Sequence, residues 1–206
     1  RVVVDTNVFI GACLARGAAS QVIEACMTGR LVPVMGSALF LEYEDVLSRR
    51  ELFAGARLDA DERNLLLDVF LSKCRWHAIY FLWRPNLRDE GDNHLMELAV
   101  AANATHIVTN NLEISEVRIY ASNTWDNLAA GVNQGFEAVN AITFHLPPEA
   151  HQKLKAVAVE RGMSIDVLLQ ELTVSMIEEH DIEKRFRARA TRGTGREAEA
   201  LALLQK

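Results

Sequence analysis

Apolar positions in the first part of the chain form short runs that alternate with segments of helical spacing. The runs at 2–4, 31–35 and 106–110 are short and contain valine or isoleucine, which is typical of strands buried in a parallel sheet. Between them, apolar residues recur at every third or fourth position, which indicates amphipathic helices. Strands that alternate with helices predict an α/β fold, a parallel sheet flanked by helices. The predicted helices are 18–29, 37–53 with Ser37 as its cap, 59–73 and 94–104. A further apolar run lies at 77–83, and residues 117–121 are predicted to form the last short strand.

The pattern changes near residue 128. Residues 128–138 contain two glycines and no strong period, and we interpret them as a linker. Beyond the linker, an alternating strand is followed by a helix that opens at Pro147-Pro148 and ends at Gly162. Ser164 then caps a second helix that is predicted to run to about His180. The sequence therefore predicts a first domain at 1–127, a small strand–helix–helix domain at 139–180 and a helical tail at 181–206.

Composition limits the classes of protein that fit. The chain has 206 residues, of which half are apolar and about a quarter charged, and this is the composition of a globular protein. Its net charge of −6 argues against a generally basic surface for nucleic acid. A local site, in which metal ions carry the positive charge, remains compatible with that charge.

The cysteines and the hydropathy profile indicate the compartment. Cys13, Cys26 and Cys74 show no paired spacing and no neighbouring histidine cluster, so they resemble reduced packing thiols and make a zinc site improbable. We find no apolar stretch of membrane-spanning length and no signal peptide. The expectation is a cytoplasmic protein that does not enter a membrane.

Three acids follow strands or begin the helices after them. Asp5 comes directly after the first strand, Glu42 lies in the helix after the second, and Asp92 begins the helix that precedes residues 106–110. In a doubly wound sheet these positions can meet at one edge. Each acid could instead be only a helix cap, a turn residue or a solvated helix position. If they meet, their mutual repulsion requires a bound cation or shifted pKa values, and an all-oxygen ligand set suits Mg²⁺ or Mn²⁺.

At this point the sequence resembles a known family. The stretches VVVDTNVFIGA, SALFLEYEDVL and DEGDNHLMELAVAANATHIVTNN are similar to the successive motifs of PIN-domain nucleases, which include the VapC-type toxin ribonucleases of toxin–antitoxin systems. The resemblance covers roughly residues 1–126. It implies that Asp5, Glu42 and Asp92 bind metal. It also implies that Asn7 and Thr109 lie near the scissile phosphate of an RNA substrate.

The chain departs from the family pattern at one place. The resemblance implies a fourth acid shortly after the strand at 106–110, but the two positions concerned hold Asn111 and Ile114. Asn111 can offer a carbonyl oxygen to a metal ion without adding charge, so it stays a candidate catalytic residue. Glu113 or Glu116 could substitute for the acid. A weakened second metal site, with slow or lost catalysis, is the alternative outcome.

The second domain resembles ribbon–helix–helix proteins of the Arc type. This resemblance implies a homodimer, or a higher even-numbered oligomer, that binds operator DNA with a two-stranded ribbon. Ala141, Thr143 and His145 would face base edges, although they lack the side chains that make strong bidentate contacts. Lys153 and the helix start at Ser164 would contact phosphate. The alternative is a domain that only dimerises.

The tail at 181–206 resembles the segment that follows the ribbon–helix–helix unit in HicB-family antitoxins. The resemblance implies that the tail wraps the toxin and that an arginine can enter its acidic site, where it would compete with metal. Arg187, Arg189 and Arg192 are the candidates for this inhibition. Each of them could equally lie on a solvated basic helix.

Together these features favour a metal-dependent endoribonuclease of toxin–antitoxin type, autoinhibited by its C-terminal region in cis or across a dimer. The rival hypothesis is a PIN fold made inactive through Asn111, which acts as a dimeric DNA-binding repressor. A third possibility is a dimerisation scaffold without either activity.

Overall fold

The computed structural model describes residues 1–79, 93–110 and 147–206. The chain divides into two compact units. Unit 1 comprises Arg1–Arg118 together with Glu179–Lys206, and unit 2 comprises Ile119–Glu178. Within the described residues, no single helix has the length and hydropathy of a membrane span. The first two helices reach both only when taken together, and they are bent by 109° at the break between them.

Unit 1 is built on a four-stranded parallel sheet. Its strands are β1 (Val2–Val4), β2 (Pro33–Met35), β3 (Arg75–Trp76) and β4 (His106–Val108), in the order β3-β2-β1-β4. Val4 of β1 is in register with Val108 of β4, and the three valines of β1 are at most 3% exposed. This confirms the predicted α/β class, a parallel sheet flanked by helices.

The helices that the sequence predicted for unit 1 are present in the structure, but some of them begin or end at other residues. They are α1 (Thr6–Leu14), α2 (Ala18–Met27), α3 (Ser37–Ser48), α4 (Ala60–Lys73) and α5 (Asn93–Ala101), with a 3₁₀ turn at Arg50–Phe53. The predicted helix 37–53 was wrong in two details: it is interrupted after Ser48, and Gly36, not Ser37, is its cap residue.

The sequence pattern did not reveal α1. Its residues are apolar on nearly every side, and Val8, Phe9, Ala12 and Cys13 are all at most 2% exposed. A helix that is apolar on nearly every side has no amphipathic period to detect.

Aromatic rings hold α1, α3 and α4 together above the sheet. Phe9 contacts Tyr43 edge to face at 5.4 Å between ring centroids, and Tyr43 stacks on Phe70 at 5.7 Å. The Tyr43 hydroxyl is fully buried and donates a 2.9 Å hydrogen bond to the carbonyl of Val4. The helix α3 is therefore fixed to the end of β1, where the acidic residues lie.

The C-terminal residues belong to unit 1. Helix α7 (Ile165–Gly193) does not end near His180, as the sequence predicted, but continues to Gly193, and α8 (Glu197–Gln205) follows it. The side chains of Phe186, Ala200 and Leu204 are at most 4% exposed and join the core of unit 1. The tail is thus a packed part of the first domain, because its apolar positions meet those of α2 and α4.

Unit 2 is described from Pro147 onward. Helix α6 (Pro148–Glu160) begins at the predicted Pro148, and the chain turns at Gly162, whose φ of +66° suits glycine. The Ser164 hydroxyl accepts a hydrogen bond from the backbone amide of Val167 at 3.2 Å, which confirms Ser164 as the cap of α7. The predicted linker at 128–138 and the predicted strand of this domain lie outside the described residues.

Candidate active site

The candidate site lies where β1 and β4 end. The backbone amide of Asp5 donates to the carbonyl of Val108 at 3.0 Å, so the residues that follow the two strands, Asp5 and Thr109, are neighbours. The parallel pairing of the strands brings them together, although they are far apart in sequence. The family resemblance placed Asp5 and Thr109 in one site, and their backbones are neighbours here.

Asp5 is 5% exposed and is the N-cap of α1. Its Oδ1 accepts from the backbone amide of Asn7 at 3.2 Å, and its Oδ2 accepts from the Asn7 side chain at 2.7 Å and from the Thr109 hydroxyl at 2.6 Å. Three donors therefore hold this buried carboxylate in one orientation at the start of the helix. The capping interpretation of Asp5 is therefore correct, and it is compatible with a second role as a metal ligand.

Asn7 and Thr109 form one oriented network around Asp5. The Asn7 amide nitrogen donates to Asp5 and also to the Thr109 hydroxyl, at 3.1 Å, while its carbonyl oxygen accepts from the backbone amide of Asn110 at 3.1 Å. Both amide hydrogens of Asn7 are thus used within the protein. The immediate effect of this network is to fix the Asp5 carboxylate.

Glu42 reaches the same place from α3. The Thr6 hydroxyl donates to Glu42 Oε1 at 2.6 Å and lies 3.3 Å from Asp5 Oδ1. A hydroxyl has one proton, and the shorter contact assigns it to Glu42. Asp5 and Glu42 therefore lie on either side of a single hydroxyl, as neighbouring carboxylates of one site.

His94 of α5 is a member of this site that sequence reasoning missed. Its Nε2 is 2.8 Å from Glu42 Oε2. Burial acts to raise the pKa of Glu42, but the hydrogen bonds from His94 and Thr6 and the nearby positive charges lower it below its ordinary value. The only sequence signal was the position of His94, two residues after the predicted acid Asp92.

Of the predicted DNA-binding residues, the structure describes only Lys153 and Ser164. Lys153 is exposed on α6, and the Ser164 hydroxyl is used in capping α7. Among residues 1–79, 93–110 and 147–206, no three histidine, cysteine, aspartate or glutamate side chains are arranged so that together they could hold a metal ion. The predicted residues outside these ranges are Asp92, Asn111, Ala141, Thr143 and His145.

The three candidate inhibitory arginines do not contact Asp5 or Glu42 of their own chain. Arg189 Nε is 2.7 Å and Arg192 Nε is 2.9 Å from the carboxylate of Asp68 in α4. Arg187 pairs with Glu183 one turn earlier on its own helix. Of the two alternatives, in cis or across a dimer, the structure does not show insertion in cis: Arg189 and Arg192 meet a different acid, Asp68 of α4.

Two features define the class of this protein. Its sheet is parallel and flanked by helices, and carboxylate, amide and hydroxyl side chains lie together at the edge where the strands end. The sequence model of the PIN domain family matches residues 1–113. The chain belongs to the PIN domain family, whose members are generally nucleases. No curated protein and no solved structure matches the chain.

Proposed function

We propose that this protein is a metal-dependent endoribonuclease of the toxin–antitoxin type. Its membership of the PIN domain family supports nuclease chemistry. The observation that carries the proposal is the meeting of Asp5 and Glu42 across the Thr6 hydroxyl. Two acids that α1 and α3 bring to one hydroxyl repel each other, and a divalent cation relieves that repulsion.

The donor set fits Mg²⁺ or Mn²⁺. Carboxylate oxygens are the ligands that these hard ions prefer, and the cysteines of the chain are buried in the core or packed against it. Asp5 and Glu42 would hold the ion, together with Asp92. Such an ion supplies a more acidic bound water and neutralises charge on the phosphate.

The protein's own residues would prepare this site for RNA. Asn7 and Thr109 hold the Asp5 carboxylate in one orientation, and Thr6 and His94 hold that of Glu42. Fixed ligands lose no conformational freedom when an ion binds, so this arrangement favours ion binding. We propose that Asn111 contributes an amide oxygen in place of the fourth acid.

The test is cleavage of a fluorescent single-stranded RNA by the full chain with Mn²⁺, Mg²⁺ or EDTA. We expect cleavage that depends on the metal and is lost in Asp5→Asn. Asp45→Asn is the matched control, because Asp45 is an exposed acid of the same helix as Glu42 and pairs with Arg49. Cleavage that survives EDTA, or equal rates in both variants, would refute the proposal.

Unit 2 supports the rival role as a dimeric DNA-binding repressor. In the chain alone, Leu172 is 51% exposed and Met176, one turn further along α7, is 65% exposed. Large apolar side chains in this position are normally covered, and a second copy of the unit is the partner we propose. If the first domain is inactive, the full chain should be an even-numbered oligomer that shifts its promoter DNA but cleaves no RNA.

Inhibition by an arginine of a second chain stays a prediction. If such inhibition occurs, the specific activity per chain should fall as the protein concentration rises and the oligomer forms. A specific activity that is independent of concentration across the association range would exclude it.

A further inference from the structure

We propose that the C-terminal segment, residues 179–206, is a positioning element that holds α3, and with it Glu42, in the arrangement the acidic site needs. This inference rests on the proposed function only in so far as it names the site as the active site. It assigns to the segment a supporting role in its own chain. Phe186 and Arg189 are the positioning residues.

An aromatic contact joins the segment to α3. Phe186 is 4% exposed, and its ring lies perpendicular to that of Phe40 with 5.9 Å between centroids. The Phe186 ring also packs on Trp76 of β3 at 4.9 Å. Phe40 is fully buried and lies two residues before Glu42. Loss of the Phe186 ring would therefore leave a void directly against α3.

Ion pairs tie the same stretch of α7 to α3 and α4. Arg185 lies 3.5 Å and Arg189 lies 3.9 Å from the carboxylate of Glu44 in α3. Arg189 also forms the 2.7 Å pair with Asp68, and both of these side chains are less than one-sixth exposed. Breaking an ion pair that is this well shielded from solvent is costly, and without Arg189 only the more exposed Arg192 would still pair with Asp68.

A close backbone approach fits the segment to α4. A Cβ built on Gly193 would overlap the backbone of Asp68 and Val69. Only glycine allows α7 to approach α4 this closely, and the approach brings Arg189 and Arg192 within reach of Asp68. The segment is thus fitted to one place on the domain.

The geometry of α3 carries these contacts to the site. Phe40 and Glu44 are four residues apart and share the face that meets the segment. Glu42, two residues from each, lies on the opposite face, where Thr6 and His94 contact it. The helix is thus held from both sides, and release on the segment side frees it to shift. Tyr43 also anchors α3, so we expect weakened function instead of complete loss.

The test compares Arg189→Ala with Lys184→Ala in the full chain. Both changes remove one positive charge from α7, but Lys184 is exposed to solvent. We measure hydrogen exchange of residues 37–48, Mn²⁺ affinity by calorimetry, and RNA cleavage. We expect Arg189→Ala to speed exchange in α3 and to lower Mn²⁺ affinity by about 10- to 100-fold, the effect typical of disturbing the support of metal ligands. Lys184→Ala should match the wild type.

Two further variants keep the proposal falsifiable. Phe186→Ala should reproduce the faster exchange in α3 and the weaker Mn²⁺ binding of Arg189→Ala. Phe186→Leu keeps an apolar side chain, so its exchange and Mn²⁺ affinity should lie close to those of the wild type. If Phe186→Ala does not fold, Phe186→Leu and Arg189→Ala decide. Exchange and Mn²⁺ affinity equal to the wild type in a folded Arg189→Ala would overturn the proposal, and so would faster RNA cleavage. If the wild type cleaves no RNA, the proposed function fails, whereas exchange in α3 still tests this inference.

Discussion

At the scale of single residues, Asp5 shows how one side chain serves both the fold and the site. Its carboxylate caps α1 and accepts three hydrogen bonds, and the same carboxylate lies beside Thr6 and Glu42. The sequence left open whether Asp5 is a cap or a ligand, because both roles favour an acid directly after a strand. The structure shows that Asp5 is the N-cap of α1. The nearby carboxylate of Glu42 supports the additional role of Asp5 as a metal ligand.

Asp5→Asn separates the two roles. Asparagine is as good an N-cap as aspartate, but its amide nitrogen cannot accept the bonds from Asn7 and Thr109, so the free energy of unfolding in EDTA should fall by about 1 to 3 kcal/mol. Stabilisation by added Mn²⁺ should disappear, because the ligand charge is lost. Urea unfolding with and without Mn²⁺ measures both. A loss of several kcal/mol in EDTA would mean that Asp5 is mainly structural.

The reactivity of two cysteine thiols can also be predicted from their surroundings. Burial raises the pKa of Cys13 and of Cys26 to about 12, so at pH 8 almost none of either thiol is the reactive thiolate. We expect a thiol reagent to modify these two residues only after unfolding, as mass spectrometry of labelled peptides would show. Rapid labelling of native Cys26 would contradict the packing role that the sequence suggested.

At the scale of elements, the helices with local signals were predictable and the others were not. Asp59 and Glu62 form a capping box at the start of α4, and this pattern is visible in the sequence. Gly29, with a φ of +76°, likewise marks the end of α2. The extension of α7 beyond His180 has no such mark. The tail was predicted to be helical, but its residues do not show whether one helix ends near His180 or continues, and in the structure α7 continues to Gly193.

Asp59→Ala tests the strength of the local signal. The change removes the bond from the Asp59 carboxylate to the Glu62 amide and should lower the free energy of unfolding by about 1 kcal/mol. Asp61→Ala is the matched control, because Asp61 lies in the first turn of the same helix without a capping bond. Urea unfolding of both variants measures the difference. Equal losses would show that only charge near the helix start matters.

At the scale of the whole molecule, the site was more predictable than the C-terminal segment. Family motifs carry Asp5, Asn7, Glu42 and Thr109, and the parallel sheet brings them together. His94 lies within the third motif, but the resemblance assigns it no role, and its place depends on how α5 packs beside α3. Asp92 and Asn111 stay predictions.

The docking of the C-terminal segment could not be predicted from the sequence. Phe186 meets Phe40 and Trp76, which are separated from it and from each other along the chain, and Arg189 meets Asp68. Local patterns record that the segment is helical and basic, but not which acid it pairs with. The family resemblance implied that its arginines enter the acidic site. In the structure, the contact of α7 with α4 places two of them beside Asp68 instead.

The attachment of α8 to unit 1 should depend on pH. Lys206 donates to Glu62, and Lys73 donates to Glu197 at 2.5 Å, and each bond lowers the pKa of its glutamate below the ordinary 4.5. A pKa lowered by folding adds stability that is present above pH 4.5 and is lost as the pH falls through the folded value. Hydrogen exchange of Glu197–Gln205, corrected for its intrinsic rate, should therefore accelerate below pH 4.5 before the sheet opens. In a variant that carries both Glu62→Gln and Glu197→Gln, this acceleration should vanish, because neither side chain can titrate. If the double variant keeps the full pH dependence, other groups hold α8 in place.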